Sequence, residues 1–186
     1  MTLTAPGDYE IRSLRPDDWP AVKELRLRAL QDPVAHLAFL ETYETAEALP
    51  DSFWQERAVS SGERATGARQ FVAETPDGTW AGSLTVLMEE AGTTDWAGCP
   101  VDRRQGHVVG VFVRPEWRGS GLTGALFEAG LEWARSRGAE RVRLIVHEDN
   151  PRARRAYRKA GFAPSGRVVP LEGRPGESEL EYVTDH

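Results

Sequence analysis

Between Val108 and Arg137 the chain passes from an apolar segment through a glycine-rich turn into helical spacing, and this order restricts the fold more than any other stretch. Val108-Val109-Gly110-Val111-Phe112-Val113 is the kind of run shown by a strand buried on both faces. After the short connection Arg114–Trp117 comes Arg118-Gly119-Ser120-Gly121-Leu122-Thr123-Gly124. Gly119 and Gly121 let the backbone turn sharply and present successive N–H groups to one point. The helix expected over about Leu122–Arg137 adds its unpaired amides and the positive end of its dipole. Strand, turn and helix in this order suit a pyrophosphate.

The letters alone leave the ligand open. Gly119 to Gly124 satisfies the dinucleotide pattern G-x-G-x-x-G. A dinucleotide fold, however, places its first glycine directly after the strand, whereas here Arg114-Pro115-Glu116-Trp117-Arg118 intervenes. It also needs several further parallel strands, and only residues 125–186 follow the turn. A kinase-type phosphate loop fails because Gly124 is followed by Ala125 rather than Lys. A turn without any ligand is the third reading.

The flanking sequence supplies the rest of a compact α/β chain. Tyr9–Leu14 reads as a strand, with Asp17 or Asp18 capping a helix from Trp19 to Leu30, whose Val22, Leu25, Leu27 and Leu30 recur at roughly helical spacing. Asp32-Pro33 breaks that helix. A second helical region is expected over about Ala35–Glu47, and a third over Asp51–Val59, capped by Asp51 or Ser52. Gln70–Glu74 and Trp80–Met88 flank a turn with Asp77-Gly78, the signature of an antiparallel hairpin. Glu89–Gln105 has no periodicity and reads as an exposed loop. Beyond the glycine turn, Arg141–Val146 reads as a strand and Pro151–Ala160 as a short helix. Val168–Leu171 and Glu179–Val183 read as a weaker strand pair.

Composition narrows the function classes. A chain of 186 residues, 40% hydrophobic, suits one domain, and its net charge of -6 argues against general nucleic-acid binding. Residues 1–100 hold 8 Lys/Arg against 17 Asp/Glu, and residues 101–186 hold 15 against 12. An anionic ligand held by the second half and a cationic one met by the first would suit this asymmetry. The lone Cys99 and the scattered His36, His107, His147 and His186 suggest a reducing cytoplasm and no metal site. The opening residues Met1–Asp8 resemble neither a secretory leader nor a membrane anchor, so no membrane partner is expected.

Two motifs in order carry a family resemblance. Val108–Leu126, with Arg118-Gly119-Ser120-Gly121-Leu122-Thr123 after a strand and a short connection, resembles the acetyl-CoA-binding motif of the GNAT superfamily of N-acetyltransferases. That motif reads Gln/Arg-x-x-Gly-x-Gly/Ala, so Thr123 stands where the family has Gly or Ala, with Gly124 next. Asn150–Phe162 is similar to the family's Asn-x-x-Ala-x-x-x-Tyr-x-x-x-Gly-Phe signature at every fixed position: Asn150, Ala153, Tyr157, Gly161 and Phe162. The resemblance implies an α/β (α+β) fold, with a mixed central sheet of six to seven strands and helices on both faces. It also implies a splay between the two strands flanking the cofactor helix. Residues 1–186 would form a single domain, with acceptor-side helices at about 17–60 and the cofactor core at about 107–162.

By the same resemblance the chain transfers an acetyl group from acetyl-CoA to a primary amine, small-molecule or peptidyl, by direct attack in a ternary complex. A homodimer is compatible with it. Val111, Phe112 and Val113 would pair with the pantetheine arm, and Arg118, Gly119, Ser120, Gly121, Leu122, Thr123 and Gly124 would hold the pyrophosphate. Asn150 would hydrogen-bond the pantetheine. Tyr157 would be the general acid, a role that suits a phenol with an ordinary pKa of about 10. An aromatic anchor against Ala153 and Ala160 is the plainer reading of Tyr157. No carboxylate lies on Val108–Val113 or Leu144–Val146, so no base is named. A water chain, Glu41, Glu44, His107 and His147 are candidates, each of these residues being expected at the surface. Arg152, Arg154, Arg155, Arg158 and Lys159 include candidate partners for the 3′-phosphate. Five acids between Glu41 and Glu56 suggest an acceptor wall for a cationic amine. Two other classes stay open: a coenzyme-A-binding sensor without catalysis, and a nicotinamide oxidoreductase.

Overall fold

The computed structural model describes residues 8–95, 98–171 and 173–185. Met1–Gly7 and His186, which entered the leader and metal readings, lie outside them. The strands are β1 (Glu10–Ser13), β2 (Ala68–Glu74), β3 (Trp80–Glu89), β4 (Gln105–Val113), β5 (Arg141–His147), β6 (Ala163–Pro170) and β7 (Ser178–Asp185). They form a seven-stranded sheet in the order β1-β2-β3-β4-β5-β7-β6. Neighbours are antiparallel except β4 and β5. A dinucleotide fold requires a run of parallel strands, and this mixed sheet does not supply one.

Helices cover both faces. On one face α5 (Leu122–Ser136) buries Leu122, Leu126, Phe127 and Leu131 against Leu84, Val86, Val108, Leu144 and Tyr182. On the other, α1 (Trp19–Leu30) and α4 (Asp51–Ser60) bury Val22, Leu25, Trp54 and Ala58 against Val72, Trp80 and Phe112. The spacing of Val22, Leu25 and Leu30 turns one stripe of α1 inward, which is why that helix was readable residue for residue. The short helix α6 (Pro151–Lys159) follows β5.

Three expectations change. The region Ala35–Glu47 is two short helices, α2 (Ala35–Ala38) and α3 (Tyr43–Glu47), separated by the extended Phe39. Thr42 restarts the helix by accepting the Thr45 N–H at 3.3 Å. The caps also differ. Asp18 accepts the Arg15 N–H and holds a 3-10 turn before α1, while α4 starts after Pro50 with no side-chain cap.

The segment Glu89–Gln105 is not simply exposed. Asp95 and Val101 are buried, and Thr94 bridges to Pro100. Arg143, 1% exposed, donates to Asp95 and to Glu181 at 2.8 Å and lies 3.3 Å from Glu89. The cost of burying that guanidinium is offset by its carboxylates, and the cluster ties the segment to the sheet.

The sheet opens where the site lies. β4 and β5 pair only from Gln105–Val108 to Arg141–Leu144. Opposite Ser83–Thr85 of β3 the register of β4 jumps from Phe112 to Val109, so Gly110 and Val111 together face the single residue Leu84. Gly110 has φ +62°, a conformation that costs other residues about 1–2 kcal/mol. This bulge bends β4 away from β5 and leaves the β5-facing edge of Val109–Val113 outside the ladder.

Candidate active site

A cavity of about 420 Å³ runs through the opening between β4 and β5. Its walls include Val109, Gly110 and Val111 of β4, Ile145 and Val146 of β5, Asn150 and Tyr157 around α6, and Leu37–Glu41 after α1. The glycine turn lies between the end of β4 and the start of α5. Gly119 and Gly121 adopt φ +79° and +87°, and a Cβ at Gly119, Gly121 or Gly124 would meet nothing within 4 Å. The first helical bond of α5 is Ala125 N–H to the Gly121 carbonyl, so the amides of Leu122, Thr123 and Gly124 precede the helical ladder. Thr123 is half-buried one residue before the exposed Gly124.

The other predicted residues divide by position. Val111 lines the main cavity, while Phe112 lines a small neighbouring cavity of about 20 Å³. Val113 borders neither, and its carbonyl accepts Arg118 Nε at 3.1 Å. The Arg118 guanidinium is committed to that carbonyl and to Asp32 at 2.6 Å, so its side chain braces the turn. Ser120 Oγ donates to the Trp117 carbonyl.

Asn150 is the N-cap of α6. Its Oδ1 accepts the Ala153 N–H at 3.2 Å, which leaves its two amide protons to donate. Tyr157 borders the cavity, and its ring meets Phe127 edge-on with centroids 5.6 Å apart. It is therefore an aromatic anchor and a cavity residue at once. Loss of solvation pushes its phenol up to about 12, against the opposing charge of Arg152.

His107 and His147 are each 1% exposed, which corrects the expectation that they lie at the surface. His147 Nδ1 accepts the Asp149 N–H at 3.1 Å, so in the neutral ring Nε2 carries the proton and donates to Glu177 at 3.0 Å. That ring is occupied structurally. His107 lines the cavity with Nδ1 3.5 Å from Glu89.

Among the basic residues of α6, Arg154 donates to Tyr182 Oη and the Glu148 carbonyl, each at 3.0 Å. Arg152, Arg155, Arg158 and Lys159 are exposed. Of the acids between Glu41 and Glu56 only Glu41 lines the cavity, and it is ion-paired with Arg26. Glu44, Glu47, Asp51 and Glu56 are exposed.

Glu179 was missed by sequence reasoning. It lines the cavity from β7, directly across from His147. Its Oε2 is buried and has no hydrogen-bond partner among the described residues. Burial raises its carboxyl above the usual range, although the charges of His147, Arg174 and His107 oppose the shift. The signal for Gly110 was present, since a glycine inside an apolar strand marks a bulge. None existed for Glu179, because the order β5-β7-β6 brings it to the site.

Comparison with known proteins agrees with this geometry. A profile of the acetyltransferase (GNAT) family matches residues 19–162, and the chain belongs to that family. A mycothiol acetyltransferase of Saccharomonospora viridis is 40% identical over 92 residues, 50% of this chain and 29% of that protein. An aminoglycoside N(6′)-acetyltransferase type 1 of Stenotrophomonas maltophilia is 31% identical over 106 residues, 55% of this chain and 67% of that protein. The chain thus spans less than a third of the length of the mycothiol enzyme. In fold it resembles the PaiA N-acetyltransferase of Thermoplasma acidophilum, solved in complex with coenzyme A. The TM-score is 0.70 at 18% identity, over 97% of this chain and 100% of that one.

Proposed function

We propose that this chain transfers an acetyl group from acetyl-CoA to a primary amine of a small-molecule or peptidyl acceptor, in a ternary complex. The observation that carries the reading is the cavity through the β4–β5 opening, which joins Tyr157 and Asn150 to Glu179 on the far strand. The residues present fit the cofactor. The turn has open space at Gly119, Gly121 and Gly124 and a helix N-terminus beyond it, a geometry suited to a pyrophosphate. The outer edge of Val109–Val113 offers backbone groups to an extended amide chain, and Asn150 keeps two protons to donate beside it.

Bound acetyl-CoA supplies an activated acyl group and a thiol leaving group. A backbone N–H on the bulged part of β4 polarises the thioester carbonyl. Glu179, whose carboxylate is desolvated and unpartnered at Oε2, takes a proton from the acceptor ammonium so that the attacking nitrogen is neutral, and the second proton, lost by that nitrogen as the amide forms and the C–S bond breaks, leaves through the cavity to solvent. Tyr157 stays protonated across the physiological range and hydrogen-bonds the departing sulfur. The phenol is pushed above the ordinary range of a thiol, so complete proton transfer to the sulfur is uphill. Tyr157 thus acts mainly by stabilising the thiolate. No helix among the described residues is long and apolar enough to cross a membrane.

The test is acetyl-CoA-dependent thiol release across amines, amino acids, polyamines, aminoglycosides and peptides, with calorimetry of acetyl-CoA in parallel. Binding together with release for at least one acceptor class is expected. Binding without release from any acceptor would replace this reading with a coenzyme-A-binding domain that lacks catalysis.

A further inference from the structure

The acceptor end of the cavity carries a cation that the fold does not neutralise. Arg57 projects from α4 beside Trp54 and lines both the main cavity and the small one next to it. Among the described residues its guanidinium has no hydrogen bond and no ion pair. Its neighbour Arg26 is already matched, since it pairs with Glu41 and stacks over Phe39 at 4.2 Å. Burial of Arg57, with the charge of Arg26 adding to it and that of Glu41 opposing, disfavours its charged form. A half-buried guanidinium that lines a cavity and keeps five donors without a protein acceptor is free to take a ligand's acceptor group.

The surroundings point to an anion. A ligand meets Arg57 in the main cavity of about 420 Å³, because the small one, about 20 Å³ and lined by Val22, Leu25, Ala29 and Phe112 as well as Gln70, Ser83 and Thr85, has room for about one water. The guanidinium fork at the main cavity is the donor group for a planar anion, the geometry in which arginine binds carboxylates with two parallel bonds. Across the cavity stands Glu179, the carboxylate assigned above to the amine. The unpaired charges of the walls are therefore one positive and one negative.

We propose that Arg57 anchors a carboxylate of the acceptor, so that the site takes an amine bearing a carboxylate, such as an amino acid or a short peptide. Polyamines and aminoglycosides, which carry only positive charge, lack a partner for Arg57 and are disfavoured. This assignment rests on the acetyltransferase reading. It does not extend the expected acidic acceptor wall, because four of the five acids between Glu41 and Glu56 are exposed and outside the cavity.

The experiment compares the common amino acids with their C-terminal amides, alongside spermidine and kanamycin, in acetyl-CoA-dependent thiol release. The preferred amino acid is expected to exceed its amide at least tenfold in kcat/KM, mainly through KM, and to exceed spermidine and kanamycin. In Arg57→Gln the ratio of acid to amide falls to within about threefold of unity, and Arg57→Lys restores part of it, as expected when a charged hydrogen bond is lost. The wild-type ratio tests the proposal even if either variant misfolds. A ratio near one in the wild type, better turnover of spermidine or kanamycin, or an unchanged ratio in Arg57→Gln each overturns it while leaving the acetyltransferase reading intact. Failure of every amine to release thiol overturns that reading and this proposal together.

Discussion

Asp32, just past α1, and Arg118, at the head of the glycine turn, are joined by a 2.6 Å hydrogen bond across 86 positions of sequence. Asp32 is 7% exposed in its side chain and also lies 3.8 Å from Arg152 of α6. One carboxylate thus links the end of α1, the glycine turn and the helix of Tyr157. Burial works against its charge, but Arg118, the Val34 N–H and Arg152 outweigh it and hold the carboxyl below the usual range.

Asp32→Asn is expected to lower stability by about 1–3 kcal/mol at neutral pH, the cost of leaving a buried charged partner unmatched. A carboxyl depressed in the folded state contributes fully above the ordinary value of about 3.9 and less as pH falls through the folded one. The difference between wild type and variant should therefore be constant from pH 6 to 7 and shrink below about pH 4. Urea unfolding at several pH values measures it.

Tyr157→Phe should lower kcat by about 10²-fold, at the low end for proton-donor catalysis because the high phenol pKa limits full transfer. Acetyl-CoA affinity should change less than about threefold, since the ring still packs against Phe127. Steady-state kinetics with calorimetry separates these effects, and an equal loss in both would assign the residue to packing alone.

Glu179→Gln addresses the base. Because burial raises this carboxyl, the wild-type kcat/KM should rise along an acid limb centred above the ordinary glutamic acid value of about 4.3. In the variant the limb should disappear and the plateau fall by about 10²-fold. A variant that keeps the wild-type limb would return the base to His107 or to water.

The fold was legible where local chemistry decides it. The inward stripe of α1 and the Asp77-Gly78 hairpin stand where their residues indicate, while the Asn150 cap of α6 emerges only from the structure. The strand-turn-helix order around the glycines was legible, though not the bracing of Arg118 by Asp32. Ala35–Glu47 was misread because its apolar residues continue through Phe39 while the backbone there is extended. Arg57 and Glu179 could not be found from spacing. One comes from a helix early in the chain and the other from the last strand, and only the sheet order brings them to one cavity.

Arg143 gives the largest expected stability effect. Arg143→Met removes the cation shared by Glu89, Asp95 and Glu181 and should cost about 3–5 kcal/mol. Thermal unfolding measures the loss. Hydrogen exchange should show the segment around Asp95 opening first, because that guanidinium is what ties it to β5.

The bulge at Gly110 has a further meaning for the life of the protein. It gives the middle of the sheet two inner margins, the outer side of Val109–Val113 and the facing side of Ile145–His147, with the sticky backbone that most folds keep at their rims. If an extended amide chain binds there as proposed, it closes the middle of the sheet and should raise the thermal midpoint of the protein as its concentration rises.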